Sequence, residues 1–276
     1  MFKGVKDKVI VVTGGTGVLG STMTRALASK GAKVAVLGRN LDKANTLADE
    51  INKSGGIAIG ISADVCDKEA LVTAHAKINK KLGPVDILIN GAGGNHPDGT
   101  TSQEFYSEEN QKDARTFFDM ELDGMDHVFR LNFMGTFLPT QVFAKDMIGR
   151  KDCSILNISS VSAVLPLTKV PAYSAAKAAI SNFTQWMSVY FAKEGIRVNA
   201  LVPGFFLTEQ NRTLLTNTDG SLTDRGNKIL SQTPMERFGD PEDLVSTLLW
   251  LCDPASRFVT GTTVAVDGGF CAYNGV

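Results

Sequence analysis

Short, unbroken Val/Ile/Leu runs alternate with longer helix-patterned stretches along this chain. "KVIVVTG" (8–14), "KVAVLGR" (33–39), "IAIGISADV" (57–65), "VDILINGAG" (85–93), "CSILNISS" (153–160), "IRVNALVPG" (196–204) and "TTVAVDGG" (262–269) read as strands. "STMTRALASKG" (21–31), "LDKANTLADEINKSGG" (41–56) and "KEALVTAHAKINKKLG" (68–83) read as helices. Continuous rather than alternating apolar runs suit strands covered on both faces. Strand–helix alternation predicts an α/β fold, a parallel sheet flanked by helices. Ligands of such sheets sit beyond the carboxyl ends of the strands, so chemistry is expected just after each apolar run.

The first such place is "VVTGGTGVLGST" (11–22). Gly15, Gly17 and Gly20 match G-x-G-x-x-G between a strand and a helix. Glycines there allow a tight turn and let backbone amides approach a pyrophosphate at the positive end of a helix. A dinucleotide is therefore expected. At the end of the second strand an acidic residue would select NAD, and an arginine would accept a 2′-phosphate. Gly38 holds the acidic place and Arg39 follows, which favours NADP over NAD. Asp64 and Val65, past the third strand, are placed to touch adenine. Asn90, Gly91, Ala92 and Gly93 close the fourth strand beside the cofactor.

"PAYSAAKAAI" (171–180) sets Tyr173 and Lys177 one helical turn apart amid small alanines. A phenol titrates near 10, and moving it three units takes roughly 4 kcal/mol. A neighbouring ammonium favours the phenolate, so Lys177 is expected to make Tyr173 a proton donor and acceptor near neutrality. Ser160 ends the fifth strand and can hydrogen-bond a reacting carbonyl. Asn132, in a helical pattern, can anchor a water leading to Lys177.

Two polar stretches interrupt the alternation, residues 94–127 and 205–238, and loops of that length are usually functional. Their Asn95, His96 and Arg212 are candidate substrate contacts, Arg212 as a bidentate carboxylate clamp. His127 is expected at a helix start, and Trp186 and Trp250 as helix-packing residues. The 276-residue chain has a net charge of −1 and no Lys/Arg block longer than two, so nucleic acid is not an expected partner. No run approaches the roughly 20 apolar residues that cross a bilayer, and no signal peptide is legible. Cys66, Cys153, Cys252 and Cys271 are scattered without metal spacing. We expect a reducing cytoplasm, no metal, and one domain over 1–276 with substrate loops at 94–127 and 205–238.

"TGGTGVLG", "NGAG", "LN" at 131–132, Ser160, "YSAAK", "VNALVPG" and "VDGG" occur in the order of the short-chain dehydrogenase/reductase family, which the chain resembles over nearly its whole length. The resemblance implies a single-domain, Rossmann-like, doubly wound sheet, a nicotinamide cofactor and a homotetramer. It implies a catalytic tetrad of Asn132, Ser160, Tyr173 and Lys177. Cofactor contacts carry over to Gly14, Gly15, Thr16, Gly17, Val18, Leu19 and Gly20, to Arg39 with Asn40, to Tyr173 and Lys177, and to Pro203, Gly204 and Thr208. Val18 departs from the family's commoner glycine at that position.

Within the family, "GGNHPDGTT" and the helices around Asn132 and Tyr173 resemble one branch, the D-mannonate oxidoreductases of short-chain type, or fructuronate reductases. That implies hydride transfer between a nicotinamide and the ketone of a sugar acid, with NAD(H) the usual cofactor of that branch. A gluconate 5-dehydrogenase or a 3-oxoacyl-thioester reductase is the alternative, and a non-catalytic nucleotide sensor a remote one.

Overall fold

A computed structural model describes residues 4–108, 114–208 and 211–275. Seven parallel strands lie in the order β3-β2-β1-β4-β5-β6-β7. They are β1 (Val9–Thr13), β2 (Lys33–Gly38), β3 (Ile57–Ser62), β4 (Ile87–Asn90), β5 (Ser154–Ile158), β6 (Arg197–Pro203) and β7 (Thr263–Val266). Each falls inside an apolar run read from the sequence. The strand order reverses between β1 and β4, where Thr13 pairs with Asn90. A crevice at the carboxyl edge opens at such a reversal.

Both faces of the sheet are covered. Ile10 and Val12 pack with Met23 and Leu27 of α1 (Val18–Ser29), Leu47 and Ile51 of α2 (Leu41–Lys53), and Leu248 of α9 (Val245–Cys252). Val9 and Val11 face the other way, toward Leu71 and Ile78 of α3 (Lys68–Lys81), Phe143 of α5 (Gly135–Phe143) and Met187 of α6 (Pro171–Tyr190). The period of two is thus hidden in the sequence because both faces need apolar side chains. The two edge strands are the exceptions: β3 leaves Ile57 and Ser62 exposed, and β7 leaves Thr263 and Ala265 exposed.

Local signals fix the helix starts. Asn40 Oδ1 accepts the Lys43 amide at 2.9 Å and begins α2; Asp67 Oδ1 accepts the Glu69 and Ala70 amides at 3.0 Å and begins α3. The two polar stretches contain more helix than their composition suggests. α4 (Leu122–Phe129) already starts inside the first, which puts His127 in its last turn, because Met125, Val128 and Phe129 pack one side of it against Ala172 and Ala176 of α6. The second holds α7 (Arg212–Leu215) and α8 (Asp224–Ser231), the latter capped by Thr223. Trp186 is 56% exposed and stacks between Phe183 and Tyr190 on the outer face of α6, so it is not enclosed among helices as expected. No helix among the described residues is long and apolar enough to cross a membrane.

Candidate active site

At the carboxyl edge, the turn after β1 is shaped by close backbone approach. Gly14 has φ of +65°, and a Cβ there would lie 2.9 Å from Ala92 Cα. A Cβ at Gly20 would overlap the Gly14 carbonyl oxygen. Thr13 Oγ1 accepts the Gly91 and Ala92 amides at 3.1 and 3.2 Å, tying the two strand ends at the reversal together. The sequence reading missed Thr13; its place immediately before the glycines is the signal. α1 begins after Gly17 with no side-chain cap and no acidic residue in its first turn. Its positive end therefore lacks a protein counter-charge and has space beside exposed Gly17, which fits a dinucleotide pyrophosphate. Val18 and Leu19 are the first residues of α1, and Val18 does not disturb the turn, since the tight packing falls on Gly14 and Gly20.

Along the adenosine edge, Gly38 is buried with Thr16 Oγ1 beside it, 3.1 Å from where a Cβ would stand. Arg39 is exposed and Ser62 Oγ holds its carbonyl at 3.0 Å. Asn40 uses its side-chain oxygen to cap α2, so only its remaining groups are open to a ligand. Asp64 accepts the Cys66 amide at 2.8 Å. Val65 is buried against Gly135, so its side chain is not part of a cleft. Asn90 is also turned inward, its Nδ2 donating to Thr140 Oγ1 and Asn157 Oδ1. Its backbone alone stands at the strand end. Pro203 ends β6, and the Gly204 amide donates to the Val266 carbonyl at 3.0 Å. Thr208 donates its amide to Asn211 Oδ1 at 2.7 Å.

Four side chains meet beyond β4 and β5. Asn132 lies in a π turn (Arg130–Met134) between α4 and α5, a device common at functional sites. Its Nδ2 donates to the carbonyls of Gly94 at 2.7 Å and Val128 at 2.8 Å. Gly93 sits between Asn132 and Lys177: a Cβ there would lie 2.7 Å from Asn132 Oδ1 and 3.1 Å from Lys177 Nζ. Lys177 Nζ donates to the Ile158 carbonyl at 2.9 Å, and Ser159 Oγ donates to the Lys177 carbonyl at 3.1 Å, which sews α6 to the end of β5. Ser160 Oγ accepts the Ser162 amide at 3.2 Å, and its hydroxyl stands near enough to Tyr173 to influence the phenol's ionisation.

The electrostatics differ from the sequence expectation. Burial pushes the Tyr173 phenol above its ordinary value, and the nearby Ser160 hydroxyl offsets this only in part. Burial also pulls the Lys177 ammonium down to about 8. Desolvation outweighs the Tyr–Lys attraction because Lys177 points at the Ile158 carbonyl and lies 5.5 Å from the centre of the Tyr173 ring. The phenol is accordingly a neutral donor at pH 7.

The candidate substrate residues line the two polar segments. Asn95 is exposed. His96 Nδ1 accepts the Asp98 amide at 3.2 Å, its ring lies 4.8 Å from that of His127, and Arg115 holds Asp98 at 3.0 Å. This leaves His96 Nε2 as the ring atom open to a ligand. Arg212 is exposed and its guanidinium has no ion pair among the described residues, Asp219 being bound to Ser221 instead. Lys228 Nζ and Glu104 Oε1, 3.0 Å apart, join the second segment to the first. No group of three His, Cys, Asp or Glu suited to a metal occurs among the described residues.

A sequence profile described as short chain dehydrogenase matches residues 8–219. The chain is 53% identical over 277 aligned positions to an uncharacterized oxidoreductase, UxuB, of Bacillus subtilis (strain 168), covering 100% of this chain and 99% of the relative. Among solved structures it resembles a Haemophilus influenza protein provisionally assigned as a D-mannonate oxidoreductase, with NAD bound. The TM-score is 0.96, the identity 51%, and the coverage 99% of this chain and 98% of the other. It also resembles a gluconate 5-dehydrogenase from Burkholderia cenocepacia J2315 in complex with NADP and tartrate, with TM-score 0.85, 30% identity and coverage of 99% and 98%.

Proposed function

The chain belongs to the short-chain dehydrogenase/reductase family, and we propose that it interconverts a keto-hexuronate and its aldonate, D-fructuronate and D-mannonate. It is an NAD(P)-dependent oxidoreductase acting on an alcohol group. The observation that carries the catalytic reading is the convergence of Asn132, Lys177 and Tyr173 at the strand ends: Gly93 separates Asn132 Oδ1 from Lys177 Nζ, and that Nζ stands 5.5 Å over the Tyr173 ring.

When bound, the nicotinamide donates or accepts the hydride. The dinucleotide would be held by the turn from Gly14 through Gly20, by Arg39 and Asn40, by Asp64 and the Val65 backbone, by the backbone from Asn90 through Gly93, and by Pro203, Gly204 and Thr208. Arg39 beside the side-chain-free Gly38 supports NADP, as the 2′-phosphate would meet an exposed guanidinium. In reduction, Tyr173 donates its proton to the substrate carbonyl oxygen while Ser160 hydrogen-bonds the same oxygen. Lys177, held by the Ile158 carbonyl, supplies positive charge to the phenolate left behind. Asn132 fixes the Gly93–Gly94 backbone against Lys177. In oxidation the same groups run in reverse.

The 94–127 and 205–238 segments are the substrate-facing parts of one catalytic domain. Arg212, which has no ion pair among the described residues, would take the carboxylate, with Asn95 and His96 Nε2 on hydroxyls. The 51% identity to the provisionally assigned D-mannonate oxidoreductase supports that substrate. The Burkholderia likeness supports a gluconate 5-dehydrogenase as the second reading. We place the enzyme in the cytoplasm as a homotetramer. The test is a rate comparison with both reduced cofactors. D-fructuronate should exceed 5-ketogluconate and an acetoacetyl thioester in kcat/KM by tenfold or more; a faster rate with either of the others would reassign the substrate.

A further inference from the structure

Four buried polar side chains, those of Thr140, Asn90, Asn157 and Thr184, are hydrogen-bonded in one line, and a fifth, Thr136, joins it through its main-chain carbonyl. Thr136 Oγ1 donates to the Asn132 carbonyl at 2.9 Å, and Thr140 Oγ1 to the Thr136 carbonyl at 2.8 Å. Asn90 Nδ2 donates to Thr140 Oγ1 at 3.0 Å and to Asn157 Oδ1 at 2.9 Å. Asn157 Nδ2 donates to Thr184 Oγ1 at 2.8 Å, and Thr184 Oγ1 to the Ile180 carbonyl at 2.8 Å. None of the five is more than 4% exposed.

The line crosses four elements, α5, β4, β5 and α6, and the direction of each of its bonds is determined. Each of the three hydroxyls gives its single hydrogen to a carbonyl. The two threonines in contact with the amides must therefore accept from them, and Asn90 divides its two hydrogens between the two directions. Asn90 Oδ1 is left buried without a partner. Apolar side chains of the same size would fill this volume without that orphan, so stability alone does not account for the arrangement. A bonded polar network in a low-dielectric interior instead fixes relative position.

What it fixes is set by its two ends. One is the carbonyl of Asn132 in the π turn; the other is the carbonyl of Ile180, three residues beyond Lys177 on α6. We propose that Thr136, Thr140, Asn90, Asn157 and Thr184 are positioning residues that set the offset of Asn132 against the Tyr173–Lys177 turn. This rests on the reading of those three as catalytic.

The experiment is a double-mutant cycle at the two ends, which share no hydrogen bond. Thr140→Val and Thr184→Val should each lower kcat for the best carbonyl substrate about tenfold while leaving cofactor KM within about twofold. The double variant should be no worse than about twentyfold, since either break uncouples the same line. Thr184→Ser should restore the rate. A hundredfold loss in the double variant, or unchanged kcat in the singles, overturns the proposal. Amide hydrogen exchange on the cofactor-free protein gives an arm independent of turnover: Thr184→Val should speed exchange at 132–136 as well as within α6. Acceleration confined to α6 overturns the proposal. Should Thr184→Val not fold, Thr140→Val is read in the same way, with 132–136 and 177–184 as reporters. If Tyr173→Phe kept full turnover, the catalytic reading would fall while the exchange result still judged the line.

Discussion

Lys177 holds its Nζ 5.5 Å from the centre of the Tyr173 ring, one turn earlier on α6, and gives its hydrogen bond to the Ile158 carbonyl at 2.9 Å. The ammonium is therefore anchored to the end of β5, beside the phenol and not bonded to it. Removing two such groups from water has separate, measurable consequences.

Folding lowers the Lys177 pKa from 10.5 to about 8. Between those values the unfolded chain binds more protons than the folded one, so this group makes stability rise with pH across that window. The cost is fully present below pH 8 and fades as pH approaches 10.5; at about 1.4 kcal/mol per unit it amounts to about 3 kcal/mol. Lys177→Met should therefore raise unfolding stability at pH 6–7 by about 2 kcal/mol, after about 1 kcal/mol for the bond lost at Ile158. Urea titrations should show that gain vanishing by pH 10. A difference independent of pH would refute the assignment.

Tyr173→Phe should lower kcat by roughly 10²–10⁴, the usual worth of a general acid, with cofactor affinity unchanged by calorimetry. Because burial raises the phenol's pKa, wild-type reduction should not lose its proton donor below pH 10. An inflection near pH 7 that disappears in Tyr173→Phe would contradict this.

Arg39 is exposed next to a buried glycine, with no carboxylate at the strand end to repel a phosphate. Arg39→Ala should raise KM for NADPH at least tenfold and that for NADH less than threefold. Equal effects would remove the 2′-phosphate role.

Arg212 has no ion pair among the described residues. Arg212→Ala should cost a hexuronate substrate about 2 kcal/mol in kcat/KM, a factor of about 30, through loss of a charge-assisted hydrogen bond. An uncharged keto-sugar should be almost unaffected. Parallel losses on both would place the guanidinium outside the carboxylate site.

Some features of the site were readable from neighbouring residues alone. Gly14 and Gly20 announce a turn in which no Cβ fits, and Tyr173 and Lys177 announce a shared helix face. Others were not. Asn40 and Asn90 look alike as polar residues at strand ends, yet one caps a helix and the other enters a buried line with Thr140 and Asn157. The difference comes from segments 50 and 67 residues away. Arg115, Asp98 and His96 likewise form a group only once the first polar segment folds back on itself.

The amino-acid order by itself determined the seven strands, their parallel sheet and the glycine turn at its edge, because backbone preferences and apolar spacing act over a few residues. Only the tertiary structure decided that the phenol is held protonated and the ammonium weakened. The free energy of a charge depends on how much water and which carbonyls surround it, and those surroundings are assembled from β4, β5 and α6 together.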